Sequence, residues 1–169
     1  MTDFKATAEG EAVLVAAVLD AAKGAKRIVD LFSGAGTFTL PLAAHSGVHA
    51  VEGSEDMLET LDKGWRHGAG LKTVTTETRD LFRRPLEQDE LDQFDFAVLD
   101  PPRAGADAQI ATLCQSKIKR VVMVSCNPVT FARDAAALIG AGFELQWIDV
   151  VDQFRWSPHI EIVGSFTRT

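Results

Sequence analysis

A cysteine stands at a junction in this chain, in the order Ser125-Cys126-Asn127-Pro128. The residues before it form a hydrophobic run, and a proline is well placed at the first position of a helix. A thiol at such a strand-to-helix step feels the partial positive charge of the helix N-terminus, which favours the nucleophilic thiolate. Most unpaired cysteines are buried and inert. Cys114, inside an apolar helical stretch, fits that description, and Cys126 does not. Further on lies Ser157-Pro158-His159-Ile160-Glu161-Ile162-Val163. Strand alternation puts His159 and Glu161 on one face and the isoleucines on the other. Alone, that pattern suits the wet face of an edge strand. Beside a nucleophilic Cys126, Glu161 becomes a candidate general base, with His159 as its helper. Asp100-Pro101-Pro102-Arg103 ends another hydrophobic run. Its prolines fix the backbone and remove donors. Asp100 is then presented inward, and Arg103 is available to a phosphate or a base.

A second group of residues suits a ligand. In Asp30-Leu31-Phe32-Ser33-Gly34-Ala35-Gly36-Thr37, Gly34 and Gly36 let backbone approach a ligand where a Cβ would collide. Glu52 ends the next strand and could grip two ribose hydroxyls. Asp80 follows the third strand, where it could accept from an adenine amino group or merely cap a loop. The spacing departs from G-x-G-x-x-G, since position 39 is threonine. That departure suits an adenosyl cofactor better than a dinucleotide. A tight turn with no ligand is the alternative for the loop taken by itself.

The elements that must position these groups alternate strand with helix, which predicts an α/β fold with a mostly parallel sheet covered on both faces. Hydrophobic periodicity predicts helices over 7–22, 37–44, 54–67, 107–115 and 128–139. Ser54 caps the third of these, with Met57, Leu58 and Leu61 inward. Strands are predicted over 27–32, 48–51, 72–78, 94–99, 120–125, 143–151 and 160–166. Residues 79–93 read as loop with a turn of helix at most. The last two strands have no helix between them and must run antiparallel to one another. Ligands in such sheets bind beyond the carboxyl ends of the strands, where all the candidates above fall.

Composition narrows the class. The chain has 169 residues, 46% of them hydrophobic, which predicts one domain over 1–169 with a substantial core. Two cysteines make neither a disulfide framework nor a zinc site, so no metal is expected and a reducing, cytoplasmic setting fits. No apolar run reaches the roughly 20 residues that cross a bilayer, so no membrane partner is expected. Lys and Arg number 17 against 24 Asp and Glu, a net charge of −7. A domain that held nucleic acid by charge alone would be basic.

Four segments together carry a family resemblance: DLFSGAGTFTLP at 30–41, DPPR at 100–103, SCNP at 125–128 and HIE at 159–161. In this order the chain resembles, over nearly its whole length, the catalytic domain of the RNA uracil-5 methyltransferases, which make 5-methyluridine in tRNA and rRNA. The glycine loop is common to most class I methyltransferases, whereas the SCNP and HIE pair is specific. The resemblance implies a Rossmann-like class I methyltransferase fold, a seven-stranded sheet with an antiparallel last strand. It implies S-adenosyl-L-methionine as cofactor and RNA as partner. Cys126 then matches the nucleophile and Glu161 the base. Glu52 matches the ribose-gripping acid, while Phe32 and Thr37 match first-loop cofactor positions. Asp100 matches a residue beside cofactor and target base. The chain departs from the family in Phe32-Ser33, where Tyr-Cys is usual, and in Lys5, where a Gln is usual. It also lacks the family's N-terminal RNA-recognition regions. A methyltransferase for another substrate, or a module that binds cofactor or RNA without turnover, are the competing readings.

Overall fold

The computed structural model describes residues 8–152 and 160–169. In chain order the elements are α1 (Ala8–Ala21), β1 (Arg27–Leu31), α2 (Thr39–Ala43), β2 (Gly47–Glu52), α3 (Glu55–His67), β3 (Val74–Thr78) and α4 (Gln88–Leu91). They continue as β4 (Phe96–Leu99), α5 (Asp107–Gln115), β5 (Arg120–Ser125), α6 (Pro128–Gly140), β6 (Glu144–Asp152) and β7 (Ile160–Thr167). The strands form one seven-stranded sheet in the order β3-β2-β1-β4-β5-β7-β6. β1 to β5 pair in parallel, and β7 runs antiparallel to both of its neighbours.

Strand alternation divides the core into two layers. Ile28, Ala50, Val98 and Val124 face Leu14 and Val18 of α1, Leu42 of α2 and Leu61 of α3. Val29, Val51, Leu99 and Met123 face Ile110 of α5 and Phe131 and Leu138 of α6. β4 and all of β1 after Arg27 are buried on both faces, which explains the unbroken apolar run of β4 and makes Asp30 the one polar residue buried in β1.

The element boundaries follow local chemistry. Ser54 caps α3 by accepting from Met57 N at 3.4 Å, and Asn127 caps α6 by accepting from Val129 N at 3.0 Å. β4 starts two residues later than the sequence pattern predicts. The Asp95 carboxylate instead accepts from the backbone N–H groups of Lys26 and Arg27, at 3.0 to 3.2 Å. β3 likewise starts at Val74 and not at Lys72, whose N–H goes to the Ala43 carbonyl. Met57 is a correction: it is 47% exposed and not part of the core. Among the described residues, no helix is long and apolar enough to cross a membrane. His159 lies outside the described residues.

Candidate active site

The candidate groups collect at the carboxyl edge of the parallel strands because of where each strand stops. Asp30 is the fourth residue of β1, Glu52 ends β2, Asp100 follows β4, and Cys126 follows β5. Glu161 lies at the amino end of β7, which runs the other way and so reaches the same edge. Ser125 pairs with Ile162. One further step of that antiparallel register sets Cys126 opposite Glu161. Alternation puts Asp30 on the same sheet face as Ile28, the side of α1 to α3.

The first loop is built on left-handed backbone. Phe32, Gly34 and Gly36 have φ of 62°, 56° and 98°. Gly34 N donates to Glu52 Oε2 at 2.9 Å, and Ser54 N donates to Glu52 Oε1 at 3.1 Å. Glu52 therefore ties the β1 and β2 loops together. A carboxylate has about four acceptor positions, so two remain for hydroxyls of a ligand. A cleft of about 590 Å³ opens here, within the range of small-molecule sites. Phe32, Gly34, Thr37, Glu52, Asp80 and Asp100 all line it. Gly36 does not. It is buried, and a Cβ there would come 3.0 Å from Leu61 Cγ, so its role is to let the loop lie on α3.

Asp30 is fully buried. Thr39 Oγ1 donates to its Oδ2 at 2.6 Å, while Oδ1 is a buried side-chain atom with no hydrogen-bond partner. Burial pushes its pKa up to about 7, against the pull of Thr39 and with a further push from Glu52. Asp100 is pushed up to about 8, by burial first and then by Glu161, Asp30 and Glu52. Glu161 is raised by burial. Four carboxyl groups thus share one edge, and the charge of Asp100 is penalised by the other three and that of Asp30 by Glu52.

The thiol departs from the sequence expectation. Cys126 has its pKa raised, by burial and then by Glu161, with Arg103 pulling the other way. Loss of water and a facing carboxylate outweigh the pull of Arg103. Arg103 is exposed, and its carbonyl accepts from Asn127 Nδ2 at 2.9 Å and from Thr130 Oγ1 at 3.1 Å. These bonds hold the Asp100-to-Arg103 loop against the cysteine turn. Cys114 and Cys126 are both unpaired.

Some cleft residues were not singled out from sequence. Arg79 and Phe82 both line it. Phe82 is 46% exposed and packs on Phe32 with ring centroids 5.3 Å apart. An exposed aromatic soon after a strand is the signal that could have found it.

Comparison with known proteins agrees with this fold. The model of the tRNA (Uracil-5-)-methyltransferase family matches residues 68–168. A protein of Brucella suis biovar 1 (strain 1330) named as an RNA methyltransferase is 49% identical over 98% of this chain and 40% of its own length. The 23S rRNA (uracil(1939)-C(5))-methyltransferase RlmD of Chromohalobacter salexigens is 37% identical over 88% of this chain and 30% of its own. The structure of Pyrococcus abyssi tRNA (uracil-54, C5)-methyltransferase with S-adenosyl-L-homocysteine superposes with a TM-score of 0.84 at 28% identity. That superposition covers 98% of this chain and 40% of the other. The chain therefore spans about two fifths of the length of the curated relatives it matches most fully. It carries the family's match over residues 68–168 and a class I methyltransferase fold, and it belongs to the tRNA (uracil-5-)-methyltransferase family.

Proposed function

We propose that residues 1–169 form the catalytic domain of an S-adenosylmethionine-dependent enzyme that methylates carbon 5 of a uridine in RNA. The observation that supports this reading best is the pairing of Ser125 with Ile162, which brings Cys126 within electrostatic reach of Glu161, next to a cleft held by Glu52. The cleft suits the cofactor on two grounds. Its volume is adequate. Its carboxylates, with the unpartnered Asp30 oxygen behind them, suit a cation. The cofactor supplies an electrophilic methyl group on a sulfonium. Glu52 grips the ribose, while Phe32, Gly34, Thr37 and Asp80 line the rest of the cofactor's bed.

Carbon 5 of uracil is a weak nucleophile, and covalent addition corrects that. Cys126 gives up its thiol proton to solvent and bonds to carbon 6 as thiolate, and the electron pair of the 5,6 double bond moves toward carbon 5 and the 4-oxygen. The cofactor, held by Glu52, would supply carbon 5 with a methyl group and keep the electron pair of the broken sulfur–carbon bond. Glu161 then takes the carbon 5 proton. The double bond reforms and Cys126 departs as thiolate. Asp100 lines the cleft and couples to Glu161, Arg103 meets the RNA, and His159 keeps that role by its place in the sequence alone. The target base must leave any stack to enter.

5-Fluorouridine-substituted RNA tests this scheme, because fluorine cannot leave as a proton does. With S-adenosylmethionine, the wild-type protein should form an adduct that survives a denaturing gel and intact-mass measurement. Cys126→Ser should form none. An adduct in the Cys126→Ser protein would remove Cys126 from the nucleophile's role. Cofactor binding without any wild-type adduct would count against uracil as the target.

A further inference from the structure

Arg79 follows β3 and is only 14% exposed. Its Nε donates to the Arg84 carbonyl at 2.8 Å. Nη1 donates to Glu77 Oε1 at 3.1 Å and to Glu90 Oε1 at 2.8 Å. Nη2 donates to Glu90 Oε2 and to the Pro85 carbonyl, each at 3.0 Å. Five bonds occupy the five N–H donors that a guanidinium has. Ion pairs on a protein surface contribute little as a rule. This one differs in being bidentate, in having a largely covered guanidinium although Glu90 is 40% exposed, and in bonding two backbone carbonyls that would otherwise lose their donor.

Its position gives that saturation a purpose. Arg79 N donates to the Glu52 carbonyl at 2.9 Å, so one end of the residue is fixed to the strand end that bears Glu52. The guanidinium end is fixed to the carbonyls of residues 84 and 85 and to Glu90 in α4. Between these two anchors the chain loops out as Asp80, Leu81 and Phe82, one wall of the cleft. Within the loop, Asp80 Oδ1 accepts from Phe82 N at 3.0 Å, and the Asp80 carbonyl accepts from Arg84 N at 2.8 Å. Glu90 is itself fixed, accepting from Glu87 N at 2.8 Å at the start of α4.

We propose that Arg79 is a positioning residue for the cofactor half of the site. It staples the loop over residues 80–85 to β2 and α4, and so holds Asp80 and Phe82 where an adenosyl group meets them. This rests on the reading of the cleft under Proposed function. Lysine cannot substitute, because one ammonium has three donors and no plane with which to span a carboxylate and two carbonyls.

The test compares wild type with Arg79→Lys and Glu90→Gln by amide hydrogen exchange and by calorimetric titration with S-adenosylhomocysteine. In Arg79→Lys, exchange at residues 82–84 should quicken while amides of β1, β4 and β5 keep their protection. Affinity should fall about tenfold, the equivalent of about 1.4 kcal/mol. The KM for S-adenosylmethionine should rise more than kcat falls. Glu90→Gln should show the same pattern, more weakly. If Arg79→Lys loses protection throughout the sheet, Glu90→Gln, which leaves Arg79 in place, carries the test. A wild-type protein that binds while both variants bind as tightly, with loop amides equally protected, would overturn the role of Arg79. Quickened loop exchange in a chain whose wild type takes no S-adenosylhomocysteine would instead sink the methyltransferase reading.

Discussion

In the proposed reaction Cys126 loses a proton before it adds and Glu161 takes one after methyl transfer, and the pKa of each is raised. Burial raises each of them, and Glu161 adds to the rise at Cys126. A base with a raised pKa is better matched to taking a proton near neutral pH. Removing that base separates the two halves of the proposed reaction. Glu161→Gln keeps the size and loses the proton acceptor, so addition and methyl transfer proceed and release stalls. The expected outcome is a covalent protein–RNA species with ordinary uridine, visible on a denaturing gel, and turnover lower by about 10²–10⁴-fold. Loss of turnover with no trapped species would place Glu161 before methyl transfer. Several of these residues were legible in the sequence because each stands at a break in pattern: Asp100 before two prolines, Cys126 before Asn-Pro, Glu52 before Gly53. The raised thiol was not legible. It depends first on burial and then on Glu161, which approaches only through an antiparallel pairing 35 residues away in the chain.

α6 organises more of the site than its sequence suggests. Its N-cap, Asn127, holds the Arg103 carbonyl, and so does Thr130 in its first turn. One turn further on, Asp134 is buried and accepts from Ala106 N at 2.8 Å, while Arg133 reaches back to the Ala104 carbonyl at 3.1 Å. The whole link from Arg103 to Ala106 is thus pinned along one side of this helix. Asp134→Ala leaves the Ala106 N–H buried without an acceptor. That costs about 1–3 kcal/mol. Urea unfolding should show it as a lower midpoint at unchanged slope, and an unchanged midpoint would refute the assignment. Periodicity made α6 itself legible, as it did α3, α5 and β5, whose apolar residues repeat clearly. It could not show that β7 inserts between β5 and β6, since pairing order is a property of three dimensions. Nor could it show that the polar loop after β3 is fixed by Arg79, because the carbonyls that hold the guanidinium leave no mark in side-chain identity.

At the scale of the whole molecule, the carboxylates gathered at one sheet edge set how stability depends on pH. Asp30 titrates at about 7 and Asp100 at about 8 in the folded chain, both raised from 3.8. Between about pH 4 and the folded values, the native state therefore holds protons that the unfolded chain has released. Stability falls with rising pH wherever the native state binds more protons, by about 1.4 kcal/mol per proton per pH unit. Glu161 is raised as well and acts in the same sense. Glu90, lowered by Arg79, acts in the opposite sense, but its contribution is lost only as pH falls below the ordinary glutamate range. The protein should therefore melt at a higher temperature at pH 5.5 than at pH 8.5. Asp100→Asn, which removes one of these groups without emptying its place, should flatten that slope and raise the melting temperature at pH 8.5. Scanning calorimetry at the two pH values checks both. A melting temperature that climbs toward pH 8.5 would mean that Asp30 and Asp100 are already ionised in the fold. A cationic ligand binding among these carboxylates would favour their ionised forms. Under the proposed function, the same edge that costs stability in the chain alone is the edge that would hold a sulfonium.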